Sequence, residues 1–202
     1  MAIQRSDIAP GFAEPVRDAQ RVFRTVLHAM AHPGRLMPVA AELAPPSPLA
    51  PAAAAVCLAL MDYDTPVWLD DRAASAEALD FLAFHCGCPV ADAPASAAFA
   101  LVAGEVPSLS VFPVGDDEFP EASATVILQV GALRTDGPLM LSGPGIPGSA
   151  TLGIDGLPTR FWPEWAANHA LFPRGIDLIL VDGSTLCCLP RTVRVAAPAD
   201  GS

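Results

Sequence analysis

Ile176-Asp-Leu-Ile-Leu-Val181, then Asp182-Gly183-Ser184, then Thr185-Leu-Cys-Cys-Leu189, is the stretch on which the reading of the fold turns. Two short apolar runs split by an Asp-Gly pair read as two strands joined in a hairpin, because glycine enters the left-handed turn conformation without a steric penalty. Residues 191–195 are expected to prolong the second arm. Upstream, helical and strand patterns alternate. Residues 15–31 place Val16, Ala19, Val22, Phe23, Val26, Leu27 and Met30 at three- and four-residue spacing, which predicts an amphipathic helix that His32-Pro33-Gly34 stops. After a short apolar run over 36–39, the alanine- and leucine-rich segment 52–61 predicts a buried helix. Residues 65–69 predict a strand, Ser75 caps a helix running to Phe84, and 99–103 and 125–130 predict further strands. Leu139 to Leu141 is expected to continue the sheet. Five glycines and three prolines in 142–158 argue against a long regular element there, and Thr159 is expected to cap a helix over 161–171. This alternation, closing on an antiparallel hairpin, predicts an α/β fold whose mixed sheet carries helices on both faces. Neither an internal repeat nor a dividing linker is visible, so residues 1–202 are expected to form a single domain with short flexible ends.

Composition narrows the chemistry. Hydrophobic residues make up 52% and charged residues 16% of the 202, which suits a large buried interior. The 22 prolines punctuate the apolar runs and favour many short elements. A net charge of -11 disfavours a general grip on nucleic acid or on an anionic membrane. All eleven basic residues are arginine. Without lysine there is no Schiff base to an aldehyde cofactor and no GxxxxGK[ST] phosphate loop. The N-terminus lacks an apolar segment of signal-peptide length, and the longest apolar stretch, 49–61, contains Pro51 and falls short of a membrane span. The five cysteines, Cys57, Cys86, Cys88, Cys187 and Cys188, form an odd set that suits reduced thiols and a cytoplasmic location.

Several residue patterns bear on function. Gly143, Gly145 and Gly148 satisfy G-x-G-x-x-G after an expected strand, but Pro144 and Pro147 remove two N–H donors and Gly153, Gly156 and Pro158 interrupt the helix that a dinucleotide site needs. His85-Cys86-Gly87-Cys88 gathers three potential metal ligands in four residues, but the remaining ligands would have to come from His or Cys elsewhere, and no C-x-x-C pair exists. His28 and His32 share a helix face without an H-E-x-x-H glutamate. Arg17, Arg21, Arg24 and His28 fall along one helical stripe, suited either to a phosphate or acidic partner or to solvent and internal pairing. Asp62 and Asp64 precede Thr65-Pro66, and Asp177 opens an apolar strand near Arg174, positions that turn structure alone also explains. No G-x-S-x-G is present, and the residues assemble no independent catalytic constellation.

Taken in order, Asp18-Ala-Gln20 with Phe23-Arg24 and Ala29-Met30, Asp64-Thr-Pro-Val-Trp-Leu69, Ala124-Thr125 with Ile127-Leu-Gln-Val130, Leu141-Ser-Gly-Pro-Gly-Ile146, Phe172-Pro-Arg-Gly-Ile-Asp-Leu-Ile-Leu180 and Leu189-Pro-Arg-Thr192 resemble the PhnH family. Members of that family are the H subunits of the bacterial carbon-phosphorus lyase core complex. The resemblance implies a three-layer α/β/α fold with a mixed, mostly parallel sheet, similar to the main domain of PLP-dependent transferases but without PLP or another cofactor. It implies partners in the G, I and J subunits and a homodimer when the chain is isolated. It also implies a supporting role in the ATP-dependent formation of α-D-ribose 1-methylphosphonate 5-triphosphate with release of adenine, ATP being a substrate of the complex. Arg24, Arg174, Asp177 and Arg191 lie within the resembling segments and are candidates for ligand or partner contact; no catalytic residue is carried over. The alternative is an independent nucleotide-binding or metal-dependent enzyme built on the Gly143-Gly148 loop or on Cys86 and Cys88.

Overall fold

The structure is a computed structural model that describes residues 8–196. Helix α1 (Pro15–Ala31) opens on a proline, carries Asp18 in its first turn and His28 in its last, and buries Val22, Val26 and Ala29 at the predicted spacing. The Asp18 carboxylate complements the helix dipole. Gly34 follows at φ +83, and the chain enters the short strand β1 (Met37–Pro38). Helix α2 (Pro51–Leu60) buries every residue from 52 to 57, as a helix wedged between a sheet and another helix must. Strand β2 (Val67–Leu69) leads to α3 (Ala76–His85), where the Ser75 hydroxyl accepts the Ala78 N–H at 3.2 Å. Strands β3 (Phe99–Val102), β4 (Thr125–Gln129), β5 (Ala132–Ser142) and β6 (Ala150–Asp155) precede α4 (Phe161–Ala170), and β7 (Asp177–Asp182), β8 (Thr185–Leu189) and β9 (Arg194–Ala196) complete the described chain.

The main sheet has six strands in the order β1-β8-β7-β4-β3-β2. Pairings β2 with β3, β3 with β4 and β4 with β7 are parallel, whereas β7 with β8 and β8 with β1 are antiparallel. The sheet is therefore mixed and mostly parallel, and the 182–185 hairpin is in place with Gly183 at φ +56. Successive strand residues point to opposite faces. Ile127, Ile179 and Val181 join α1, α2 and α3 in one apolar layer, while Val126, Leu128, Leu178 and Leu180 join α4 in the other. Both edges are short. Pro38 sits in β1, and at β2 the Val67 N–H donates to Pro89 O while its carbonyl accepts the Ala91 N–H, each at 2.8 Å.

Four expectations are corrected. Leu139 to Leu141 does not continue the main sheet: β5 lies in a separate antiparallel sheet ordered β6-β5-β9, because β7 already occupies the free side of β4. The glycine-rich 142–158 segment holds the six-residue strand β6. Residues 191–195 do not prolong β8, since a turn in which Val193 N bonds Pro190 O carries the chain to β5, where Arg194 pairs Ser142. Thr159 does not cap α4; Arg160 takes that position with no side-chain cap bond, and the Phe161 N–H turns back onto Pro158 O at 3.0 Å. The second face is thus covered by α4 together with the small sheet, whose Leu133, Leu139, Leu141 and Leu152 fill the same apolar layer.

Candidate functional site

Because β2, β3, β4 and β7 run parallel, their carboxyl ends open on one side of the sheet, the side where open α/β sheets hold ligands. Two cavities of about 370 Å³ lie there. One is lined by Ala50, Ala103, Gly104, Gln129, Gly131, Gly156, Gly183 and Arg72; the other by Trp68, Asp70, Asp71, Glu105, Arg160 and again Arg72. Glycines and alanines bring bare backbone to the first cavity. Its walls are fixed by polar groups that already have partners. Asp70, 7% exposed, accepts the N–H groups of Ala73, Ala103 and Gly104 at 3.1, 2.9 and 2.8 Å, tying the end of β2 to the end of β3. Gln129 accepts Ala50 N–H at 2.6 Å and donates to Pro48 O at 3.0 Å, tying β4 to the start of α2.

Charge in this crevice gathers at the second cavity, where Asp70, Asp71 and Glu105 stand with Arg72 and Arg160. Arg160 pairs with Glu164 at 3.2 Å and donates to Val106 O. Burial opposes the charge on Glu164, but the Leu109 N–H at 2.7 Å, Arg160 and Ser108 together outweigh it and hold the carboxyl below the ordinary value of 4.5. Arg72 is exposed on the ridge shared by both cavities and makes no ion pair among the described residues. It is the cation the crevice offers to an anionic group. No group of three or more His, Cys, Asp or Glu side chains converges to hold a metal among the described residues.

The four residues singled out in the sequence fall in different places. Asp177 and Arg191 meet at the amino end of β7, opposite the crevice. Arg191 Nη2 reaches Asp177 Oδ2 at 2.5 Å and Ser123 Oγ at 2.6 Å, Nη1 reaches the carbonyls of Pro120 at 2.8 Å and Pro173 at 3.4 Å, and Nε reaches Asp177 Oδ1 at 3.2 Å. A guanidinium has five N–H donors, and the protein occupies all of them. Arg174 lies on the adjoining loop and pairs with Asp117 at 3.3 Å on the surface. Arg24 stands apart on α1, exposed along an open groove of about 560 Å³ with Arg17, Arg21, Thr25, His28 and Met37. Arg17 and Arg21 are paired to Glu14 and Asp18, whereas Arg24 has no ion pair among the described residues. Val16, Phe23 and Leu27 are exposed on the same helix, so its outer surface is both basic and apolar.

The glycine loop takes another role. It joins β5 to β6, so a strand rather than a helix follows it and no helix N-terminus faces a pyrophosphate. Gly145, at φ +82, packs against the end of α1, where a Cβ would stand 2.2 Å from Ala31 O. Cys86 and Cys88 close α3 without a third converging ligand among the described residues. His28 and His32 stack with ring centroids 4.1 Å apart. The Arg72 crevice escaped the sequence reading, although Asp70-Asp71-Arg72 directly follows an expected strand, a position the carboxyl-end rule points to.

These features define an α/β protein with a crevice at the carboxyl ends of its parallel strands and, among the described residues, no cluster of metal-ligating side chains. The family model described as "Bacterial phosphonate metabolism protein (PhnH)" matches residues 10–196, and the chain belongs to that family. It is 40% identical over 197 residues to "Alpha-D-ribose 1-methylphosphonate 5-triphosphate synthase subunit PhnH" of Rhizobium meliloti (strain 1021), covering 96% of this chain and 98% of the relative. It is 32% identical over 184 residues to "Putative C-P lyase subunit protein HtxG" of Stutzerimonas stutzeri, covering 87% of this chain and 85% of the relative.

Proposed function

We propose that this chain is the H subunit of a carbon-phosphorus lyase core complex, where it supports formation of α-D-ribose 1-methylphosphonate 5-triphosphate from ATP and a phosphonate with release of adenine. The observation that carries this reading is the 40% identity to a synthase subunit along 96% of the chain. Its partners are the G, I and J subunits, and alone it forms a homodimer in the cytoplasm. The five free thiols suit that reducing setting. The sheet is a PLP-transferase-like frame that holds no cofactor. Without a catalytic set of its own, the subunit contributes surfaces and shape. The outer face of α1 is the docking surface, since arginine and aromatic side chains are the types enriched where proteins meet. Arg72 at the crevice holds an anionic group of the substrate.

The test is reconstitution. Tagged chain should retain the G, I and J subunits, and adenine release dependent on ATP and methylphosphonate should require it. Arg72→Ala should leave co-purification intact and lower adenine release at least about tenfold, the loss of one charge-assisted contact of about 1.5–3 kcal/mol. Failure to co-purify, or adenine release that proceeds equally without the chain, overturns the assignment.

A further inference from the structure

Helix α1 carries two apolar rows. Val22, Val26 and Ala29 face the core, while Val16, Phe23 and Leu27, at steps of seven and four, lie on one flank of the outer face and remain 85%, 48% and 57% exposed. At about 3.6 residues per turn, Arg17, Arg21, Arg24 and His28 fall together on the other flank, with Gln20 between the two rows. The basic flank borders the open groove of about 560 Å³ that reaches Met37. The carboxylates of the helix do not offset its whole length. Glu14 is held by Arg17 at 3.2 Å and Asp18 by Arg21 at 2.8 Å, and no carboxylate follows Asp18 before the helix ends, so Arg24 stands on a stretch without negative charge.

We infer that this outer face receives an amphipathic acidic helix from another subunit of the complex. Its apolar row lies on Val16, Phe23 and Leu27, and its aspartates or glutamates reach Arg24 and the arginines beside it. The inference rests on the assignment of the chain to that complex and names the kind of segment α1 takes. A docked helix presents anchors at three- and four-residue spacing, which is the spacing of both rows here. The exposed Arg17–Glu14 pair contributes little, so Arg17 exchanges its carboxylate for a partner's at little cost. Other occupants match the face less well. A phosphate needs cations that converge, whereas Arg17 and Arg24 are spread over about 10 Å of helix, and a small anion would leave the apolar row bare. An extended strand gains its affinity from main-chain bonds that a helix surface does not offer. A second copy of this chain is excluded by charge: antiparallel docking of α1 on α1 sets basic flank against basic flank, and parallel docking brings the arginines no free carboxylate.

The full chain is co-expressed with the G, I and J subunits, the tag is placed on the I subunit, and the amount of chain retained is measured. Wild type should be retained, and less of it as NaCl is raised to about 0.5 M. The double variant Arg17→Glu, Arg24→Glu and, separately, Phe23→Ser should each lower retention at least about tenfold. Isolated, both variants should keep the far-UV spectrum and elution volume of the wild type, because these side chains are exposed. A photo-crosslinking residue in place of Gln20 should join a helix of another subunit that carries apolar and acidic residues at three- and four-residue spacing. Undiminished retention of both variants overturns the inference and leaves the assignment to the complex intact, whereas a wild type that is not retained overturns both. A cross-link to a second copy or to a basic segment, or a variant that elutes as a smaller species when isolated, also overturns the inference.

Discussion

Replacing Arg191 with alanine removes a side chain that bonds Pro120, Ser123, Pro173 and Asp177. The guanidinium and Asp177 are 13% and 22% exposed, so water screens them little. Without the guanidinium, Asp177 keeps the Arg191 backbone N–H at 2.7 Å, while the Pro120 and Pro173 carbonyls and Ser123 Oγ each lose a donor. Breaking a buried pair from one side costs about 3–5 kcal/mol, and solvent access to Asp177 places the expected loss near the lower end, about 3 kcal/mol. For a chain of this length that corresponds to a fall in Tm of roughly 6–12 °C. Urea unfolding of the isolated protein should show the same loss as a lower midpoint with unchanged slope. Asp177→Asn combined with Arg191→Ala should lose less than the sum of the two single changes by about 1–3 kcal/mol. Below about 1 kcal/mol, the loss would match an exposed pair such as Arg17 with Glu14, and the clamp argument would be refuted. It would be refuted equally by a variant of unchanged stability whose reconstituted complex no longer releases adenine, because Arg191 would then act on ligand or partner.

Two further outcomes follow from local geometry. Gly145→Ala puts a Cβ 2.2 Å from Ala31 O at a left-handed φ, whereas Gly148→Ala at φ +74 meets open space; thermal melts should show about 1–2 kcal/mol lost at Gly148 and clearly more at Gly145, and equal losses would contradict the packing of that loop on α1. Glu164 has its folded value depressed, so its stabilisation is present above 4.5 and fades as pH drops through the lower folded value. Glu164→Gln should therefore be less stable than wild type by about 1 kcal/mol at pH 7, with the gap closing in urea titrations taken toward pH 3; a pH-independent gap would count against the Leu109 and Arg160 contacts as its source.

What could be read in the sequence was local. The spacing of Val22, Val26 and Ala29 fixes α1, Ser75 fixes the start of α3, and Asp182-Gly183 fixes the hairpin, each within a few residues. Partner choice between distant strands was not readable, so β5 was placed in the wrong sheet. A clue was there: Leu139 and Leu141 are buried around an exposed Met140, the alternation of a one-sided antiparallel sheet rather than of a central parallel strand. Arg191 stands in a recognisable segment, yet its partners come from residues 120, 123, 173 and 177, which no spacing rule assembles. The crevice likewise exists only once β2, β3 and β4 end side by side. Its one free cation, among the described residues, follows two aspartates that look like turn residues.

The blunted margins of the main sheet govern how this molecule keeps company. Proline in the two-residue β1 withholds a donor at one margin, and at the other Pro89 and Ala91 have already spent the outward-facing groups of Val67. Neither rim of the main sheet is a template on which a neighbour's backbone can zip. A partner that meets the main sheet must therefore read side chains on a helix or loop, and recognition of that kind is specific to sequence.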